Sequence, residues 1–137
     1  MRLNNNALLR RVALILAVVT TVCAPGLFAS DGVQTLDGEF LWSSQRERGD
    51  LEATFESTGD GEWNVSFRFQ WSGQPRTFSG TATGSLTDGP LRGTVYNENE
   101  RRTWKFAGSF KDGVFRGEHE ELKRGRSVDT GTLTLRR

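Results

Sequence analysis

The sequence predicts a small all-β domain: an antiparallel, up-and-down meander of about eight strands, closed into a barrel. Two observations carry the prediction. Past residue 34 the apolar residues recur at every second position, with no stretch of helical period, and alternation of that kind places them on one face of a strand. Asp-Gly pairs at Asp60-Gly61, Asp88-Gly89 and Asp112-Gly113 each stand between two alternating runs. Such pairs adopt the positive φ angles of tight hairpin turns, so each joins neighbouring antiparallel strands.

The strands follow in order. Phe40 and Trp42 mark the first. Leu51, Ala53 and Phe55 alternate with Glu52, Thr54 and Glu56 in the second. Trp63, Val65, Phe67, Phe69 and Trp71 alternate with polar residues in the third. Phe78, Gly80, Ala82, Gly84 and Leu86 mark the fourth, against a Thr- and Ser-rich opposite face that favours strand over helix. Leu91, Gly93 and Val95 form the fifth; Trp104, Phe106, Gly108 and Phe110 the sixth; Phe115, Gly117 and His119 the seventh; Gly131, Leu133 and Leu135 the eighth. The segments Gly84–Val95 and Gly108–His119 resemble one another because both are hairpins with the same turn chemistry, with glycines at matching offsets. Glycines on the apolar face permit close packing and coiling of the sheet.

A sheet with one apolar face must hide that face, and closure into a barrel does so while removing free edges. An open or two-layer sheet is the alternative. An outer-membrane barrel, apolar side outward, is disfavoured by six glycines on the apolar face and by a terminal Arg137.

The first thirty residues differ from the rest. A basic opening, MRLNNNALLRR, precedes an eleven-residue apolar run, VALILAVVTTV, and then small residues up to Ser30. The run is short for a membrane span, and the layout is that of a secretory signal peptide. The expected organisation is a signal peptide over 1–30 and one domain over 31–137, secreted or periplasmic. Cys23 is a minor candidate for a lipid anchor. Three of the 18 Lys and Arg lie in the leader, leaving 15 against 17 Asp and Glu, a net of −2. That balance predicts no nucleic-acid partner, and no membrane insertion is expected once the leader is removed.

The opening segment LDGEF (Leu36 to Phe40) resembles the start of lipocalin-like secreted barrels, whose signature there is Gly-x-Trp. Gly38 matches, and Phe40 stands in the Trp position. The resemblance implies a closed barrel with a basic residue on the last strand packed across that aromatic at the closed end, a role for Arg136. The segment FAGSFKDGVFRGEHEELKRG (Phe106 to Gly125) is similar to a single MORN repeat, which implies a hairpin used in protein or lipid association.

Little in the chain points to catalysis. Beyond the leader there is no Cys, and His119 is the single His. Of the acids around it only Glu121 shares its face, so neither a metal nor a cofactor is expected, and His119 is read as a satisfied residue of the inner wall. No serine lies in a Gly-x-Ser-x-Gly elbow. One constellation stands out. Trp42, Trp71 and Trp104 all fall inward at the barrel end opposite the Asp-Gly turns. The connections there, QRERGD, SGQPR, NENERR and KRGRS, are read as longer charged loops, and they carry Arg46, Arg76, Arg102 and Arg124 among eight cations against four acids. Flat indoles beside guanidinium forks suit a small lipophilic or anionic ligand. The expected function is an exported, non-enzymatic binding protein with a site made of these three Trp, these four Arg and His119. The alternative is a structural or protein-interaction module with a filled interior.

Overall fold

The computed structural model describes residues 32–137; the leader expected over 1–30, with Cys23, lies outside them. Eight strands follow one another: β1 (Gln34–Trp42), β2 (Glu47–Gly59), β3 (Glu62–Trp71), β4 (Gln74–Gly84), β5 (Gly89–Asn97), β6 (Arg102–Lys111), β7 (Val114–Lys123) and β8 (Arg126–Arg136). Each pairs antiparallel with the next, and β8 pairs with β1 to close the barrel. The alternation read from the sequence is the alternation of inside and outside. Leu51, Ala53 and Phe55 are buried, while Glu52 and Glu56, on the opposite face of the strand, are exposed.

Two glycines show what closure demands. Phe106 lays its ring over Gly93 on the neighbouring strand, and a Cβ at Gly93 would stand 2.5 and 2.6 Å from ring carbons of Phe106. Phe67 then packs on Phe106 with centroids 5.1 Å apart. At Gly131 (φ 148°) a Cβ would collide with the Leu41 carbonyl oxygen and stand 3.1 Å from Nε2 of His119. The glycine lets β7 and β1 reach each other across β8.

The barrel is unevenly filled. Phe55, Phe110, Phe115, Leu36, Leu91 and Leu135 are the largest fully buried side chains, and Leu86 packs with them. Trp63 joins this cluster at the Asp-Gly end, donating its indole N–H to the Gly84 carbonyl at 3.0 Å. The opposite half is lined by aromatic residues that leave space between them.

The turns correct the sequence reading. Asp112-Gly113 is a two-residue turn with both residues at positive φ (53° and 75°), as expected. Asp88-Gly89 is not such a turn. Residues 85–88 form a longer connection, held by backbone N–H groups of Thr87 and Asp88 donating to Ser85 Oγ, both at 3.1 Å. Two connections expected to be long charged loops are tight turns instead: Ser72-Gly73 (51° and 71°) and Arg124-Gly125 (48° and 78°). Glycine at the second position permits the mirror-image turn that matches strand twist. The charges of QPR and RS therefore belong to strands rather than loops. Arg136 is exposed, in register with Asp37, and lies away from Phe40, whose register partner on β8 is Leu133.

Candidate functional site

The open half of the barrel holds a cavity of about 240 Å³. Its walls come from nearly every strand: Phe40 and Trp42 of β1, Leu51 of β2, Phe67, Phe69 and Trp71 of β3, Phe78 of β4, Val95 of β5, Trp104 and Phe106 of β6, and Leu133 of β8. It reaches the barrel end at Gln45 and Glu100, in the β1–β2 and β5–β6 turns. Alternation is the cause. Each of these strand residues sits at an inward position, and Trp42, Trp71 and Arg102 take the last inward positions of β1, β3 and β6 at this end.

The three tryptophans named from the sequence converge. Trp42 lies 4.7 Å from Trp104, edge to face, and 5.7 Å from Trp71. Trp71 and Phe69 both meet Phe40, at 5.9 and 5.1 Å. Edge-to-face and tilted pairs at these separations are the favoured aromatic arrangements and fix the ring positions.

Of the four arginines, two belong to the site. Arg76 and Arg102 occupy the inward positions just beyond Phe78 and Trp104, at the mouth. Their charges are already answered. Arg76 pairs with Glu100. Arg102 forks onto Glu121, with Nε and Nη2 donating at 2.9 and 3.1 Å, while its guanidinium lies 5.0 Å from the Trp104 ring and 5.4 Å from that of Trp42. Lys123 adds a second cation to Glu121 at 3.2 Å. Burial alone would raise the Glu121 carboxyl, but the hydrogen bonds and charges of Arg102 and Lys123 outweigh it and hold the group below its ordinary range. Arg46 and Arg124 do not line the cavity. Both are exposed, at positive φ in their turns.

His119 forms part of the cavity wall, 5.5 Å from Trp104 and 6.0 Å from Trp42. Its Nε2 lies 3.1 Å from the Leu41 carbonyl oxygen and its Nδ1 2.7 Å from Thr130 Oγ1. A carbonyl only accepts, so Nε2 carries a proton. Thr130 Oγ1 is also 2.8 Å from the carbonyl oxygen of His119 itself. A single hydroxyl proton serves both neighbours: it is given to Nδ1 when the ring is neutral and to the carbonyl when the ring is charged. Burial pushes the His119 pKa below its ordinary 6.5, against the opposing pull of the Leu41 carbonyl and the charge of Asp129. The expected satisfied histidine of the inner wall is what the geometry contains.

Thr130 escaped sequence reading. The β7–β8 register slips between His119 and Glu120, so that Thr130 is an extra residue on β8. Thr130 and Gly131 are consequently both buried, against strict alternation. Bulges re-aim side chains in this way. Glu100 was visible only as one of the loop acids, and its pairing across the mouth required the register of separate hairpins. Among the described residues no group of His, Cys, Asp and Glu is arranged to hold a metal ion. No protein-family model and no curated protein matches the chain.

Proposed function

We propose that the chain is an exported, non-enzymatic binding protein that holds one small lipophilic molecule in the open half of its barrel. The observation that carries this reading is the cavity itself: about 240 Å³, walled by Trp, Phe, Leu and Val, and opening at one end of a barrel whose other half is packed solid. Eight strands enclose an interior just wide enough to be filled by side chains or to hold one small ligand. This barrel does each in one half. A filled interior would have favoured a purely structural or protein-interaction module.

The volume indicates the size of the guest. A dry apolar cavity of about 150 Å³ takes benzene, so this one suits a fused bicycle or a ring with a short chain. The charges at the mouth favour a neutral guest over an anion. The guanidiniums of Arg76 and Arg102 are engaged by Glu100 and Glu121, and recruiting either for a ligand carboxylate would strand a carboxylate of the protein. Export rests on the signal-like leader and is checked by the mass of the processed chain, which should begin near residue 31.

Binding is tested by titrating the purified protein with 1-aminonaphthalene and following energy transfer from tryptophan. Saturation at one molecule per chain is expected. The double variant Val95→Phe/Leu133→Phe, which fills the space, should lose the signal while keeping the far-ultraviolet spectrum of the barrel. Absence of saturable binding by this probe and by naphthalene would overturn the reading.

A further inference from the structure

We propose that the tip of the β3–β4 hairpin, residues 70–77, is a hinged flap that opens to let guests into and out of the cavity. The inference rests on the cavity being a ligand site and names the moving part of its mouth.

Trp42 meets Trp104 at 4.7 Å and Trp71 at 5.7 Å, centroid to centroid, so a bicyclic guest cannot pass between Trp42 and either neighbour as the rings stand. Two of the three indoles sit on strands held from both sides. Trp42 is in register with Glu47 and Gly131, and Trp104 with Val95 and Glu121. Trp71 has one register partner, Gln74, within its own hairpin.

The ladders show how far this freedom extends. The β2–β3 ladder stops at Leu51 and Phe69, although β2 runs on to Glu47, and the β4–β5 ladder stops at Ser79 and Tyr96. Residues 70–71 and 74–78 therefore have no ladder partner outside the hairpin among the described residues. Every other hairpin at this end is laddered to a neighbour to within one residue of the end of one of its strands. A two-stranded ribbon without further partners is marginally stable, and its internal ladder, closed by the Ser72-Gly73 turn, lets this one move as a unit. The open seam appears on the outer face as a hollow lined by Asp50, Leu51, Phe69 and Gln70 among others. Leu51 and Phe69 also line the cavity, so one layer of side chains separates the two spaces.

The other edge carries a latch in place of a ladder. Asn97 Nδ2 donates to the Thr77 carbonyl at 2.9 Å, Asn97 Oδ1 accepts the backbone N–H of Glu100 at 2.8 Å, and the Glu100 carboxylate pairs with Arg76. Phe69 and Phe78, stacked at 5.8 Å, mark the base of the flap. Swinging the tip outward lifts Trp71 from Phe40 and Trp42 and widens the mouth on the β2 side. Gating motions of this kind set the rates at which many sites fill and empty.

Stopped-flow mixing with 1-aminonaphthalene separates the flap from the site beneath it. Asn97→Ser keeps an acceptor for the Glu100 N–H and loses the donor to Thr77. It should speed association and dissociation alike by about fivefold, the scale of one neutral hydrogen bond, and leave their ratio within about twofold. Arg76→Gln cuts the second tie and should speed dissociation by about twofold to fivefold, which decides the question if Asn97→Ser does not fold. Trp63→Phe removes a hydrogen bond in the packed half of the barrel and should leave both rates within about twofold. Unchanged rates in the latch variants, equal acceleration by Trp63→Phe, or a lower affinity with association unchanged in Asn97→Ser would overturn the flap while leaving the lipophilic site standing. Absence of saturable binding by the wild type would remove both.

Discussion

Replacing Arg102 by Met tests the electrostatic frame of the mouth. Glu121 is 6% exposed at its side chain and takes two hydrogen bonds from Arg102, at 2.9 and 3.1 Å. Removing one partner of a fully buried pair costs about 3–5 kcal/mol because the other charge is stranded. Here Lys123 remains 3.2 Å from the carboxylate, and the Arg102 side chain is 36% exposed, so solvent screens part of the pair. A loss of about 2–3 kcal/mol is expected for Arg102→Met. Urea unfolding measures it directly, and for a domain of this size it corresponds to a fall of roughly 10–20 °C in melting temperature. Adding Glu121→Gln should recover about half, because the stranded charge is gone. The pH dependence has a definite sign. The folded-state pKa of Glu121 is depressed, so its contribution is present above the ordinary value of 4.5 and disappears as pH falls through the lower folded value. The gap between wild type and Arg102→Met should therefore close in acid. A variant within about 0.5 kcal/mol of wild type at neutral pH, or a double-mutant coupling below that size, would refute the account of the mouth as a closed charge network.

Three further outcomes are expected. His119 is the single histidine of the chain, and its pKa is lowered in the fold, so the unfolded chain binds more protons just below pH 6.5. Stability should be full above that pH and fall below it by at most about 1.4 kcal/mol per unit, and His119→Gln should flatten this part of the urea-midpoint profile. Gly93→Ala should cost about 1–3 kcal/mol in unfolding free energy, because the new methyl meets the Phe106 ring and the Thr81 carbonyl. Arg124→Asn should raise stability by about 0.5–1 kcal/mol in thermal melts, since Arg124 sits at φ 48° in a two-residue turn that favours Asn-Gly.

Most of the architecture was legible because a strand writes its two faces directly into the sequence. Runs such as Trp63–Trp71 admit one reading, and hairpin parity alone put Trp42, Trp71 and Trp104 at a common end. Depth within the barrel was not legible. That Phe40, Phe69 and Phe78 border a space while Phe55, Phe110 and Phe115 fill one depends on stagger between strands, which no local pattern encodes. Turn length misled in both directions. Asp88-Gly89 looked tight but belongs to a connection built around the Ser85 hydroxyl, and Arg124-Gly125 looked loose because its charges masked a glycine at the decisive position. The cationic excess was counted without partners. Arg76 with Glu100 and Arg102 with Glu121 are matched across hairpins, and this cancellation changes the favoured guest from an anion to a neutral molecule. The Thr130 bulge breaks the alternation rule itself, so only the register of β7 on β8 reveals it.

The seam between β1 and β8 carries a last consequence. Register there runs only from Asp37 to Trp42, yet it brings the Arg137 guanidinium to 2.5 Å from the Gln34 carboxamide. Within the described residues the first and last strands thus lie side by side, and the ring of hairpins has no structural beginning of its own. A short bridge from 137 to 34, with a new opening cut at Ser72-Gly73, would leave every ladder but that hairpin covalently familiar. Its effect on the aromatic pole would show how far that pole relies on being laced together at one particular point.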